Sequence, residues 1–548
     1  MSVGRVLRTA RHLQARQVAN RITRRFRPLP PWLGAAAPHR LREGRTGRPK
    51  LQVADNLAAG DGFRFLNRTR SFSGEDRWRP TGVPALWVYQ LHYFQYLFQL
   101  PEDRARFLIE DWMTMNPAGA SVAWDPYPTS LRVREWIEWL VTHRDCDTDF
   151  VRRVVESIVE QALVLESRLE YHLMANHLLE NAISLCWLGL SLDGPLAERW
   201  RRKGHRLSRT EVGKQVLADG AHFERSPMYQ SSIAESLLRL AAVAGKSSVP
   251  EAGSIEHLAR SAGDELLSSL RFLCHPDGDF ALLNDCALGQ APSEAALRAR
   301  YGGDAVESPG AGVWRLAEAG FLGWQDREGS FLVLDGGDML PSYNPGHVHT
   351  GMLSFELSLH GRRVVTDTGV STYEPGPERL YQRGTAAHST IQVDDVEQSE
   401  IWAAFRCGRR ARIVEARSET GQPPELVAGY EGTLDGRQRV RHTRRIRIER
   451  RELRFHDVLR ARGRHSAKLR LHLAPGLRLV AGASGSAICD ESGSRLATVA
   501  GAQFVEGRSP YHAGFGREVE RCCLEAEFSF RDAAEVDWLI AFSGADGT

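Results

Sequence analysis

A chain of 548 residues with a net charge of +3, 42% hydrophobic and 25% charged residues, has the composition of a soluble globular protein too long for one core, so two large domains and a smaller region are expected. No apolar run approaches the length that crosses a bilayer, and eight scattered cysteines without a CxxC pair argue against a disulfide framework. The near-neutral total conceals a basic head: the first fifty residues hold thirteen Arg or Lys against one acid, Glu43, a charge that suits anionic lipid or an acidic polymer and equally a solvated arm packed on a partner.

In chain order, that basic arm and its lead-in are expected over residues 1–84. The arm has no apolar segment of the kind a secretory signal requires, so the expected location is the cytoplasm, with peripheral contact of the arm to an anionic membrane left open. No zinc-finger spacing, P-loop or single-strand recognition signature accompanies the charge, so specific nucleic-acid binding is not expected. From Trp87 to Leu273, stretches such as SLRVREWIEWLVTH and FVRRVVESIVEQALVLESRLE repeat apolar residues at three and four, which predicts consecutive amphipathic helices over residues 85–300. After PDGDF the period becomes two. FLGWQDREGSFLVLDGG, MLSFELSLHGRRVVTD and HSTIQVDD predict antiparallel strands with one covered face, forming a β-sandwich domain over residues 301–548. The charged run RRIRIERRE reads as a solvated hairpin.

Several residues have the chemistry of a site. In YHLMANHLLENAISL, Asn176 and His177 precede Glu180 and Asn181 by about one turn, giving a mainly apolar helix a polar side that needs partners or a cavity. Bridges to neighbouring helices account for these residues equally well. Tyr229 enters a helix after Pro227, where it would project a phenol into a groove or simply anchor the helix end. Arg132 and Arg134, near Trp124 and other aromatics, suit a sugar chain bearing carboxylates, and so does Glu180 as a polar lining group; a solvated face over a tryptophan core is the plainer alternative. In NPGHVHTGMLSFELSL, His347 and His349 point to the same side of a strand entrance. His349, Asp367 and His388 compose an N,O,N donor set of the type that zinc takes, although their spacing is long and irregular.

The ordered pieces WDPYPTSLRVREWI, LMANHLLENA, FERSPMYQ, PGHVHTGMLSFELSLHGRRVVTDTGVSTY and HSTIQVDD resemble the heparinase II/III family of polysaccharide lyases, from about Leu86 to the C-terminus. The resemblance implies an incomplete (α/α) toroid followed by an antiparallel β-sandwich domain, and cleavage of a uronate-containing polysaccharide by β-elimination without an organic cofactor. Carried over by position, it implies catalytic roles for Asn176, His177, Tyr229 and His347, and a structural zinc ion, one per chain, held by His349, Asp367 and His388. Gly351 departs from the family pattern, where an aspartate commonly follows the second histidine by two residues. The expected partner is an acidic polysaccharide; the oligomeric state is left open. A non-catalytic glycan-binding or surface-polysaccharide assembly protein is the alternative from a different class, and a glycoside hydrolase is the alternative enzyme.

Overall fold

The computed structural model describes residues 3–24, 39–42, 49–119, 121–143, 146–302, 310–434, 436–482 and 485–542. Between Ala85–Tyr93 and Glu294–Tyr301 the described secondary structure is almost entirely helical, including Glu102–Met115, Pro126–Thr142, Thr148–Ser167, Ala175–Ser191, Pro195–Gln215, Pro227–Ala244 and Ala252–Leu270. Local chemistry sets several of their starts. Asp147 accepts hydrogen bonds from the amides of Asp149 and Phe150, and Ser226 accepts from that of Tyr229, while Pro126, Pro195 and Pro227 occupy first-turn positions where no amide donor is missed. Their apolar stripes meet in one core that includes Trp112, Trp136, Trp139, Trp187 and Trp200. None of the described helices is long and apolar enough to cross a membrane.

From Gly312 onward the chain is mostly strand. Five strands, Gly312–Leu316, Phe321–Gln325, Phe331–Asp335, Phe355–Leu359 and Arg362–Val365, form an antiparallel meander, and a ten-stranded sheet is built around the long strands Glu452–His472 and Val519–Ala541. Leu332, Leu334, Phe355 and Leu357 of the meander pack with Leu426, Ile446, Phe455, Leu469 and Trp538 of the large sheet, which makes the sandwich. The order is that of an incomplete helical toroid followed by an antiparallel β-sandwich.

The two sheets differ in how they use their faces. Gln438–Glu449 alternates buried and accessible positions almost strictly, as one covered face requires. Phe331–Asp335 and Phe355–Leu359 are buried at every position, contrary to the expectation of one covered face. Their second face packs on the helices, with Phe321, Phe331 and Val333 against Ala221, Leu273, Ala281 and Leu283. The small sheet is therefore the layer that joins the two halves. Arg225 pins this junction from a left-handed backbone position (φ 58°), donating to the carbonyls of Ala319 at 2.7 Å and Asp338 at 3.0 Å and pairing with Asp335.

Two local expectations change. The run RRIRIERRE does lie on a hairpin, but its Arg444 is buried and grips Asp457, donating from Nε at 2.8 Å. The basic head contains two helices, Val3–Ala10 and Ala15–Thr23, docked on the rest of the chain through Arg8 and Glu400 (2.6 Å).

Candidate active site

A cavity of about 680 Å³ lies where helices and sandwich meet, and Asn176, His177, Glu180, Arg134, Tyr229 and His347 all line it. Six of the eight residues expected to act on substrate are thus brought together. The other two are not. Arg132 is buried, donating to Gln161 Oε1 at 2.8 Å and to the His92 carbonyl at 3.2 Å, with its guanidinium 4.0 Å from the Trp112 ring. Trp124 is buried as well and donates its indole N–H to the Asn116 carbonyl at 3.0 Å. Positions two apart on a helix point about 200° apart, so Arg132 and Arg134 cannot share the cleft face.

The helical wall is set by the sharp entry into Ala175–Ser191. Met174 (φ 61°) and Ala175 (φ 52°) adopt left-handed backbone, strain of the kind that clusters at functional sites, and they turn the first helical residues into the cavity. Asn176 donates Nδ2–H to Glu224 Oε2 at 2.7 Å and its backbone N–H to Glu224 Oε1 at 3.2 Å, leaving its own Oδ1 buried without a partner. The second Nδ2 proton of Asn176 is not used by Glu224, so the amide can donate to a substrate while Glu224 holds it in place. His177 pairs Nδ1 with Glu170 Oε1 at 3.1 Å and packs on Tyr127. Burial works against its protonation, but the charge and hydrogen bond of Glu170, with Glu224 and Glu180 beyond, raise its pKa above the ordinary 6.5. Glu180 is held by Arg134 at 2.5 Å and by the Ser236 hydroxyl at 2.7 Å, while Arg134 Nη1 is buried with no hydrogen-bond partner.

The sandwich wall is organised by Asp285, which sequence reasoning missed. Its buried carboxylate accepts from His347 Nδ1 at 2.8 Å, from His349 Nε2 at 2.8 Å and from both terminal nitrogens of Arg379, at 2.5 and 2.7 Å. Burial opposes its ionisation, yet Arg379 and the two histidines hold its carboxyl well below the usual range. The two histidines, expected at a strand entrance, lie instead in the loop before Phe355–Leu359 and share one carboxylate. With Nδ1 engaged, His347 keeps Nε2 for the cavity, and its ring lies 4.1 Å from that of Tyr229. Tyr229 Oη meets Tyr373 Oη at 3.1 Å. Burial, then Tyr373 and Asp285, raises the Tyr229 pKa well above 10. The residue is a neutral phenol. Asp285 had one visible signal, an acid inside the apolar run FALLNDCAL; Glu170, Glu224, Tyr373 and Arg379 had none that set them apart.

The expected metal donors lie behind this wall. His388 Nδ1 pairs with Asp367 Oδ2 at 2.8 Å, and the His349 and His388 rings are 5.4 Å apart. His349 Nδ1 and His388 Nε2 are both buried without a hydrogen-bond partner, and burial together with His388 and Arg379 outweighs Asp285 to push the His349 pKa down to about 4. Buried imidazoles with unpartnered ring nitrogens fit metal ligation in donor type. Among the described residues, however, the group of three metal-type side chains whose donor atoms converge within 4.8 Å is Glu378, His512 and Glu518, not this one. Gly351 lies against the same ring: a Cβ there would stand 3.0 Å from His388 Cγ, so an aspartate at 351 would have to displace His388.

The family model described as Heparinase II/III N-terminus matches residues 87–287, and that described as Heparinase II/III-like, C-terminal, matches residues 308–538. A heparin-sulfate lyase from Pedobacter heparinus is 26% identical over 323 residues, covering 52% of this chain and 47% of that protein. The matched region thus spans about half the length of that curated relative. Among solved structures, heparinase III aligns with a TM-score of 0.68 at 15% identity, over 85% of this chain and 79% of that one. A heparan sulfate lyase mutant from Pedobacter heparinus aligns with a TM-score of 0.60 at 17% identity, over 96% and 88%. At these identities the structural likeness is one of fold.

Proposed function

The chain belongs to the heparinase II/III-like family, and from that premise we propose that it is a polysaccharide lyase cutting an acidic, uronate-containing polysaccharide by β-elimination. The observation that carries the reading is the pairing across one cavity of a proton-holding histidine, His177 on Glu170, with an oriented His347 packed against the neutral phenol of Tyr229.

Elimination needs three things from the protein. The C5 proton of a hexuronate is weakly acidic, so the adjacent carboxylate must accept charge as C5 is deprotonated. His177 and the second Nδ2 proton of Asn176 are the donors available to that carboxylate, and the buried Arg134 adds positive charge at the cavity wall. A base must take the C5 proton, and His347 Nε2 suits this because Asp285 fixes the tautomer through Nδ1. An acid must protonate the departing C4 oxygen, and Tyr229, held as a phenol, is a donor. The C4–O bond breaks, a C4–C5 double bond forms, and the proton from C5 is balanced by the one delivered to oxygen. Hydrolysis by a carboxylic acid pair is disfavoured, because the three carboxylates lining the cavity, Glu180, Glu224 and Glu374, each accept a hydrogen bond from the protein already.

A structural zinc ion on His349, Asp367 and His388 belongs to the same proposal. It would brace the strand entrance behind His347, and no step of the elimination depends on it. The unpartnered ring nitrogens of His349 and His388 support it. The reaction is tested by incubating the chain with heparan sulfate, heparin, chondroitin, hyaluronan, alginate and bacterial capsular polymers. Short-wavelength ultraviolet absorbance should rise as chains are cut, and new reducing ends without that absorbance would point to hydrolysis.

A further inference from the structure

Of the five Arg and Lys side chains that line the cavity, two are used neither by the elimination nor by an ion pair among the described residues. Arg134 holds Glu180 at 2.5 Å, Arg239 holds Glu135 at 2.7 Å, and Lys50 lies 3.8 Å from Glu235. Arg21 and Arg406 line the same cavity, and among the described residues neither forms an ion pair. Burial, then the charges of Arg406 and Arg24, holds the Arg21 guanidinium below its ordinary value. Both are partly exposed, and two guanidinium groups lining one cleft without a counter-charge give it a positive field that favours an anion.

The fold brings this pair together from distant parts of the chain. Arg406 lies on the small hairpin of Ile401–Trp402 and Arg406–Cys407, whose Phe405 ring is 5.9 Å from that of His347. Arg21 comes from the helix Ala15–Thr23, beyond the region that the family models match. The N-terminal helices reach both lips of the cleft. On the hairpin side Arg8 grips Glu400 at 2.6 Å, and Trp402 donates its indole N–H to Thr9 Oγ1 at 3.0 Å. On the helical side the Arg16 guanidinium lies 3.6 Å from the Tyr171 ring centroid, and Gln17 donates to the His172 carbonyl at 3.5 Å.

We propose that Arg21 and Arg406 form an anion-binding subsite that grips a sulfate or a second carboxylate on a sugar neighbouring the cleaved bond, so that the basic N-terminal segment is part of the substrate cleft. The inference rests on the lyase reading for the identity of the ligand. Guanidinium forks match either anion in bidentate geometry, and the location beside Phe405 sets the subsite next to His347 without placing it on the reacting atoms.

The test measures binding of a size-matched heparan sulfate oligosaccharide and its chemically desulfated form to the full chain carrying Tyr229→Phe, by calorimetry. Arg21→Gln and Arg406→Gln should each weaken binding by about tenfold, with a shallower salt dependence and an unchanged melting temperature. Arg8→Gln, which touches only the docking of the segment on Glu400, should weaken binding in the same sense. A loss confined to the sulfated ligand assigns the subsite to sulfate, and an equal loss on both assigns it to a carboxylate. Unchanged affinity in the Arg21→Gln, Arg406→Gln double variant overturns the proposal, as does failure of both ligands to bind before either arginine is changed. The lyase reading fails separately, if the chain binds these ligands and no polymer of the absorbance screen gains a double bond.

Discussion

The two walls of the cleft hold their histidines by the same device, a buried carboxylate on Nδ1, and obtain different results. On the helical wall, Glu170 has His177 and the Asn181 amide as partners, and the His177 pKa rises. On the sandwich wall, Asp285 carries the bidentate guanidinium of Arg379 as well as two imidazoles. There the carboxylate is shared with a guanidinium, and what Asp285 fixes on His347 is which ring nitrogen faces the cavity. A carboxylate beside a histidine therefore says little until its other partners are counted. The roles proposed above follow this difference, His177 as anion holder and His347 as aimed proton acceptor.

The largest effect should come from the phenol that lies on the second ring. Tyr229→Phe keeps the packing on His347 and removes only the hydroxyl, and turnover should fall by roughly 10²–10⁴-fold with little change in polymer affinity. Near-normal turnover would place the proton donor elsewhere. Next is Asp285→Asn, which leaves Arg379 buried without its counter-charge. It should cost on the order of 3–5 kcal/mol of stability in a denaturant titration, whereas the same change at Glu170, which has no guanidinium to strand, should cost clearly less. Equal losses at the two sites would erase the contrast between the walls.

The third effect is one of pH. A histidine whose folded pKa is raised contributes stability that is fully present below the unfolded value near 6.5 and is lost as pH rises through the folded value. The alkaline limb of kcat/KM assigned to the His177 proton should accordingly lie above 6.5 in the parent enzyme and move to lower pH in Glu170→Gln. A limb that stays in place would detach the proton from His177. The smallest effect on catalysis is expected from the metal. Protein purified without added zinc should contain close to one equivalent by elemental analysis, and His349→Ala should lower both occupancy and melting temperature. Full occupancy with unchanged melting would reject those ligands.

Much of this was legible in the sequence because periodicity reports burial. The change from a three-to-four repeat to a two repeat separates helices from strands, whereas His347 and His349 lie in the loop before Phe355–Leu359 and are brought to one side by Asp285 and not by strand geometry. What escaped was chemistry that sequence separation hides. Asp285 is 62 residues from His347 and 94 from Arg379, and inside FALLNDCAL it looks like an interruption of the core. Arg132 departs from the expectation because the helical turn of Pro126–Thr142 sends it to the side opposite Arg134, and Trp124 because it ends the separate turn Val122–Trp124, whose indole packs inward on Asn116. The meander strands lost their expected alternation because the helical half covers a face that an isolated sandwich would leave to water.

The most direct measurement of the central claim is the mass of the products. Cut by elimination, each new non-reducing fragment should be lighter by one water than the corresponding hydrolysis product, and these fragments should be depleted in the Tyr229→Phe reaction while the polymer still binds. Fragments carrying the full added water, or unsaturated fragments released at the parent rate by Tyr229→Phe, would contradict the account.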